Sequence, residues 1–110
     1  MFRTKKQRKN MCTDCPVART ANIIGDTWSL MIVRDLCSGT KRFGELTSSL
    51  EGVSSRTLTK KLQFLEEHNI IERTQYSEVP PRVEYSLTKK GRELNTIIEN
   101  LRVFGEKHKK

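Results

Sequence analysis

No apolar run in this 110-residue sequence approaches the ~20 residues that a helical membrane span requires. Cysteine is scarce, and Cys12, Cys15 and Cys37 make an odd number far below the density of a disulfide scaffold. Reduced thiols in a cytoplasmic protein are the expectation. No second cysteine pair and no nearby histidine completes a tetrahedral zinc site around Cys12 and Cys15. A Cys-x-x-Cys redox enzyme of the thioredoxin type needs a βαβ frame, which the pattern does not contain. A Ser–His–Asp set and a glycine loop able to cradle phosphate are also missing. The residues therefore lead to no expectation of catalysis, metal or cofactor. The N-terminal ten residues are basic but lack the apolar stretch of a signal peptide.

What is present is positive charge. Lysine and arginine total 21 against 13 acidic residues, a net charge of +8. A surplus of that size on one small domain favours an anionic partner, either nucleic acid or an anionic membrane surface. Part of it lies in the tails, at Arg3, Lys5, Lys6, Arg8 and Lys9 and again at Lys107, Lys109 and Lys110. Such tails are usually solvated, although they can track phosphates. The simplest organisation is a basic leader over 1–11 and one domain over 12–110.

The apolar spacing within that domain changes period twice. Pro16 suits a first helical position, and Val17, Ala21 and Ile24 follow at helical spacing until Gly25. Asp26 can cap a second helix, apolar nearly all round from Trp28 to Cys37 and therefore buried on most sides. That burial predicts an inert Cys37. A short helix carries Phe43, Leu46 and Leu50, with Lys41 and Arg42 at its start as candidate phosphate clamps. Glu51-Gly52 forms a turn, and Ser54 caps a longer helix ending at His68-Asn69. Residues 70–76 then alternate as a strand, Val79-Pro80-Pro81 must be a loop, and residues 82–87 return as a second strand. Thr88 caps a last helix with Leu94, Ile97, Ile98, Leu101 and Phe104 along one stripe. Helix, turn and capped helix followed by a two-stranded ribbon make a winged helix-turn-helix, a mainly α (α+β) fold.

The Ser54-capped helix has two opposed faces. Leu58, Leu62 and Leu65 anchor it, while Arg56, Thr59, Lys60 and Gln63 project from the other side at about 100° per residue. A helix that reads a DNA major groove needs this division. Arg56 can fork onto guanine, Ser55 and Thr59 can reach bases or phosphates, Lys60 can neutralise phosphate, and Gln63 suits adenine. Arg73 and Arg82 flank the proline loop, whose stiff basic tip suits a minor groove or backbone. An ordinary solvated helix face and an ordinary exposed hairpin are the plain alternatives. The C-terminal stripe is wider than so small a domain should need, which points to a second copy as its partner. The same stripe can also fold back on Trp28, different residues serving each purpose.

The motifs resemble a known family. Cys15-Pro16-Val17, Ile24-Gly25-Asp26-Thr27-Trp28, Arg34-Asp35-Leu36 and the run from Gly39 through Phe43-Gly44-Glu45-Leu46 are similar to the HxlR family of winged-helix regulators. The likeness continues through Ser54-Ser55-Arg56-Thr57-Leu58-Thr59, the wing Pro80-Pro81-Arg82-Val83-Glu84-Tyr85 and Gly91-Arg92-Glu93-Leu94. Asp26 and Thr27 depart from it, since the family often has a glycine and a lysine before the tryptophan. The extra Cys12 and the basic leader are further departures.

The resemblance implies a homodimer joined through its N- and C-terminal helices, with Val17, Leu94, Ile97, Ile98, Leu101 and Phe104 at the interface. Two-fold symmetry suits palindromic double-stranded DNA as the partner, and the resemblance places the 55–63 stretch in its major groove. Several members respond to electrophiles or oxidants through a cysteine just before the first helix, here Cys15. At that helix N-terminus the dipole favours the reactive thiolate and Asp14 opposes it, while a bridge from Cys12 to Cys15 within one chain closes a strained ring unless the backbone is irregular. Two other readings remain: a winged-helix protein–protein interaction module, which needs no basic outer face on the third helix, and a redox enzyme using Cys12 and Cys15.

Overall fold

The computed structural model describes residues 15–109. The leader over 1–11, Cys12 and Lys110 lie outside the described residues. The order is α1 (Pro16–Ile24), α2 (Thr27–Cys37), β1 (Lys41–Arg42), α3 (Phe43–Ser49), α4 (Ser55–Glu67), β2 (Ile71–Tyr76), β3 (Arg82–Leu87), α5 (Lys89–Arg92) and α6 (Asn95–Lys107). No described helix is long and apolar enough to cross a membrane.

Short polar side chains start the helices as the sequence suggests. Asp26 Oδ2 accepts the Ser29 N–H at 3.1 Å, Ser54 Oγ the Thr57 N–H at 3.0 Å and Thr88 Oγ1 the Gly91 N–H at 2.9 Å. Each satisfies one of the donors that a helix leaves open at its start. Asn69 closes α4 in the left-handed region at φ 60°, and the Ile70 N–H bonds back to Leu65 O at 3.0 Å.

The core lies where α2, α3 and α4 meet the sheet. Ile32, Val33, Leu46, Leu58 and Leu65 are fully buried, with Leu62, Ile71, Tyr85 and Leu87 around them. Trp28 packs against this cluster from its rim. Cys37 departs from expectation, being half-buried at the end of α2 with its thiol donating to Asn95 Oδ1 at 2.8 Å. Its burial, though partial, pushes the thiol pKa up.

Two elements differ from the sequence reading. The wing is a three-stranded antiparallel sheet in the order β1-β3-β2. Lys41 and Arg42 form its edge strand, opposite Tyr85 and Glu84, and only Arg42 touches the start of α3 as its cap residue. The terminal helix is also broken. Thr88 caps α5 alone, Glu93 and Leu94 form a turn, and α6 begins at Asn95.

Gly91 explains why α5 can sit against the α4–β2 turn. A Cβ at this position would lie 2.0 Å from Ile70 O and 3.2 Å from Leu87 Cδ2. Ile70 O is itself fixed by the Thr88 N–H at 3.0 Å. Only glycine leaves room for that carbonyl.

Candidate nucleic-acid interface

Helix α4 is held at both ends and along one side, which fixes what its other side presents. Its anchoring residues Leu58, Leu62 and Leu65 are buried. At its C-terminus Lys90 Nζ, from α5, donates to His68 O at 3.0 Å, and the His68 ring lies 4.3 Å from that of Phe64. A cation at that end is favourably placed against the helix dipole. Along the flank, Lys61 Nζ stands 3.2 Å from Asp26 Oδ2. Burial alone would raise the Asp26 carboxyl, but the hydrogen bonds from Ser29 and Lys61 outweigh it and hold it below the usual value.

The remaining face is open. Ser55, Arg56, Thr59, Lys60 and Gln63 are all exposed, and among the described residues none has a side-chain hydrogen bond or ion pair. Two cations and three hydrogen-bonding side chains are thereby left for a partner on one rigid helix. Such a surface can fork onto base edges and neutralise phosphate.

The structure separates the other basic candidates. In the β2–β3 ladder Arg73 pairs with Tyr85 and Tyr76 with Arg82. Alternation therefore places Arg73 on the face of Ile71, Tyr85 and Leu87, and Arg82 on the opposite face with Tyr76 and Glu84. Arg73 is exposed and without an internal partner among the described residues. Arg82 is occupied: its guanidinium lies 4.1 Å above the Tyr76 ring, with Nη2 3.1 Å from Glu78 and Nε 3.6 Å from Glu84. Its geometry is that of a brace across the base of the proline loop. Lys41 donates to Ser38 Oγ at 3.3 Å. The Arg42 N–H donates to Glu45 Oε1 at 2.8 Å, so a carboxylate already occupies the start of α3.

The proposed interface stripe divides. Leu94 belongs to the chain's own core and Ile98 packs against it. Val17, Ile97, Leu101 and Phe104 remain exposed, with Val17 at 75% and Phe104 at 66%. A groove of about 550 Å³ runs between α1 and α6, lined by Val17, Ile24, Leu30, Ile97 and Leu101 among others. Cys15 caps α1 beside Pro16, which lines this groove, and is a half-buried free thiol whose Sγ accepts the Ala18 N–H at 3.4 Å.

The Asp26–Lys61 pair and the Lys90 cap were not among the sequence candidates. Asp26 alone left a signal, as a departure from the family pattern. The partners lie 35 and 22 residues apart in the chain, 61 − 26 and 90 − 68, and no local spacing joins them.

Comparison with known proteins agrees with this geometry. A model of the HxlR-like helix-turn-helix family matches residues 23–110. An uncharacterized HTH-type transcriptional regulator of Synechocystis is 42% identical over 91 residues, which span 83% of this chain and 67% of that protein. Among solved structures, the redox regulator HypR in its oxidized form superposes with a TM-score of 0.84 at 38% identity, covering 87% of this chain and 99% of HypR. Diamide-treated YodB of B. subtilis gives 0.71 at 32% identity, over 84% of this chain and 93% of YodB. With four-fifths of its length matched and its wing, caps and helix order in place, the chain belongs to the HxlR-like helix-turn-helix family.

Proposed function

We propose that this chain is a homodimeric, sequence-specific DNA-binding transcriptional regulator, acting in the cytoplasm on a palindromic site without catalysis, and responsive to thiol chemistry at Cys15. The observation that carries this reading is the open face of α4, where Arg56, Thr59, Lys60 and Gln63 stand exposed on a helix anchored by three buried leucines. Fragments selected by the wild-type protein from random DNA supply the site for the test. Arg56→Ala is expected to weaken binding to that site by about 1–3 kcal/mol and to relax preference at one base position. Lys60→Ala is expected to weaken all sequences alike and to lower the salt slope by about 1. Equal affinities for every sequence by the wild type would favour a non-specific or protein-binding module instead.

The dimer reading is supported by the exposed stripe of α6 and the groove beside α1. The thiol reading is supported by Cys15 as the cap of α1, next to Pro16 in the lining of that groove, and by a likeness to regulators solved in oxidized and diamide-treated forms. An electrophile adding to Cys15 would place bulk at the α1 end of the self-contact. Oxidation of two Cys15 thiols would pass two electrons to the oxidant and join the subunits. Either event changes the spacing of the paired α4 helices. DNA binding titrated with diamide is therefore expected to fall in wild type and to persist in Cys15→Ser. Equal loss in both proteins would exclude Cys15 as the sensor.

A further inference from the structure

One cation on α4 is withheld from the open face. Lys61 follows Lys60 by one residue and is turned about 100° around the helix, toward the α1–α2 turn. Its Nζ meets Asp26 Oδ2 at 3.2 Å, the oxygen that also takes the Ser29 N–H. That second bond matters because it ties the carboxylate to the first turn of α2. Asp26 stays beside Lys61 even when the lysine side chain moves. The pair borders a cleft between the α1–α2 turn and α4, whose wall includes Gly25, Thr57, Lys60 and Phe64.

We propose that Asp26 limits sequence-independent DNA affinity by withholding Lys61 from the phosphate backbone. This rests on the reading of α4 as the DNA-contacting helix. Lys60 and Lys61 are adjacent on that helix, but only Lys60 is free of an internal partner among the described residues. A phosphate that approaches Lys61 must also approach a carboxylate fixed in place by a helix cap. The local charge is close to zero, and a cation that would serve any sequence equally is silenced. A fixed like charge set against an unwanted contact is a recognised device for restraining affinity.

The substitution Asp26→Asn separates the two roles of this residue. Asparagine caps a helix about as well as aspartate, so α2 keeps its start while the charge disappears. Lys61 then becomes available to phosphate. Each added phosphate contact steepens the dependence of log affinity on log salt by about 0.9, which adds roughly threefold to the loss between about 50 and 200 mM.

The experiment is anisotropy of a random-sequence duplex titrated with full-length wild type, D26N, K61Q and the D26N/K61Q double variant over that salt range. D26N is expected to bind several-fold tighter at low salt with a slope steeper by about 1. The double variant is expected to return to the wild-type slope. An unchanged slope in D26N, or a steep slope that survives K61Q, overturns the inference while leaving the DNA-binding reading intact. Failure of wild type to bind any duplex overturns that reading and the inference with it.

Discussion

Gly91→Ala is expected to destabilise the chain by about 2–4 kcal/mol, lowering the melting temperature by roughly 10 °C or more. The cause is a single backbone contact. The added methyl would stand 2.0 Å from Ile70 O and 3.0 Å from the carbonyl carbon, neither of them the end of a flexible side chain. Relief requires α5 to lift from the α4–β2 turn. That motion would stretch the Thr88 N–H bond to Ile70 O and the Lys90 bond to His68 O, both now 3.0 Å. Alanine restricts the unfolded chain and returns some stability, but only about 0.4–1 kcal/mol. Gly44 is the internal control, because a Cβ there meets nothing within 4 Å and lies within helix α3. Gly44→Ala is expected to be neutral or slightly stabilising. Urea midpoints of the two variants decide the matter. A Gly91→Ala protein as stable as Gly44→Ala would mean that the α5 contact is loose.

Leu101→Glu is expected to convert the protein to a monomer at micromolar concentration with its helical content unchanged. No residue of α6 is fully buried within the chain, and Leu101 is 49% exposed. The substitution therefore costs the isolated chain little. In a self-contact through the α1–α6 groove, the same carboxylate would be buried without a partner, a penalty of several kcal/mol on each side of the interface. Sedimentation of both proteins, with circular dichroism to confirm the fold, reads the result. A wild-type monomer that binds DNA at full affinity would remove the dimer from the account.

Local chemistry made much of this fold legible. Asp26, Ser54 and Thr88 cap the helices they precede, and Asn69 takes the left-handed closing conformation, because each feature depends on residues within one turn. The anchored face of α4 was readable for the same reason. Strand β1 was not, since Lys41 and Arg42 alternate with nothing and become a strand only by lying against β3, more than 40 residues away. The break before α6 carries no proline or glycine at Glu93 or Leu94, so the apolar stripe ran through it unmarked. Leu94 is buried and Leu101 half-exposed although both lie on one apolar stripe, a division set by tertiary packing that no local spacing carries.

The wing shows the same boundary between local and distant information. Its strands and proline loop were plain in the alternation. The placement of Arg73 and Arg82 on opposite faces follows from the register across the hairpin. The two glutamates and the tyrosine that engage Arg82 lie on the same hairpin, yet only the paired strands bring them around one guanidinium.

The central claim is that the open face of α4 reads DNA. Its most direct test is the affinity of the Arg56→Ala, Lys60→Ala double variant for a fragment selected by wild type, measured at one fixed salt concentration. A loss of about 100-fold is the expected result, combining a base contact of about 1–3 kcal/mol with one phosphate contact. Affinity equal to that of wild type, in a variant that melts at the wild-type temperature, would contradict it.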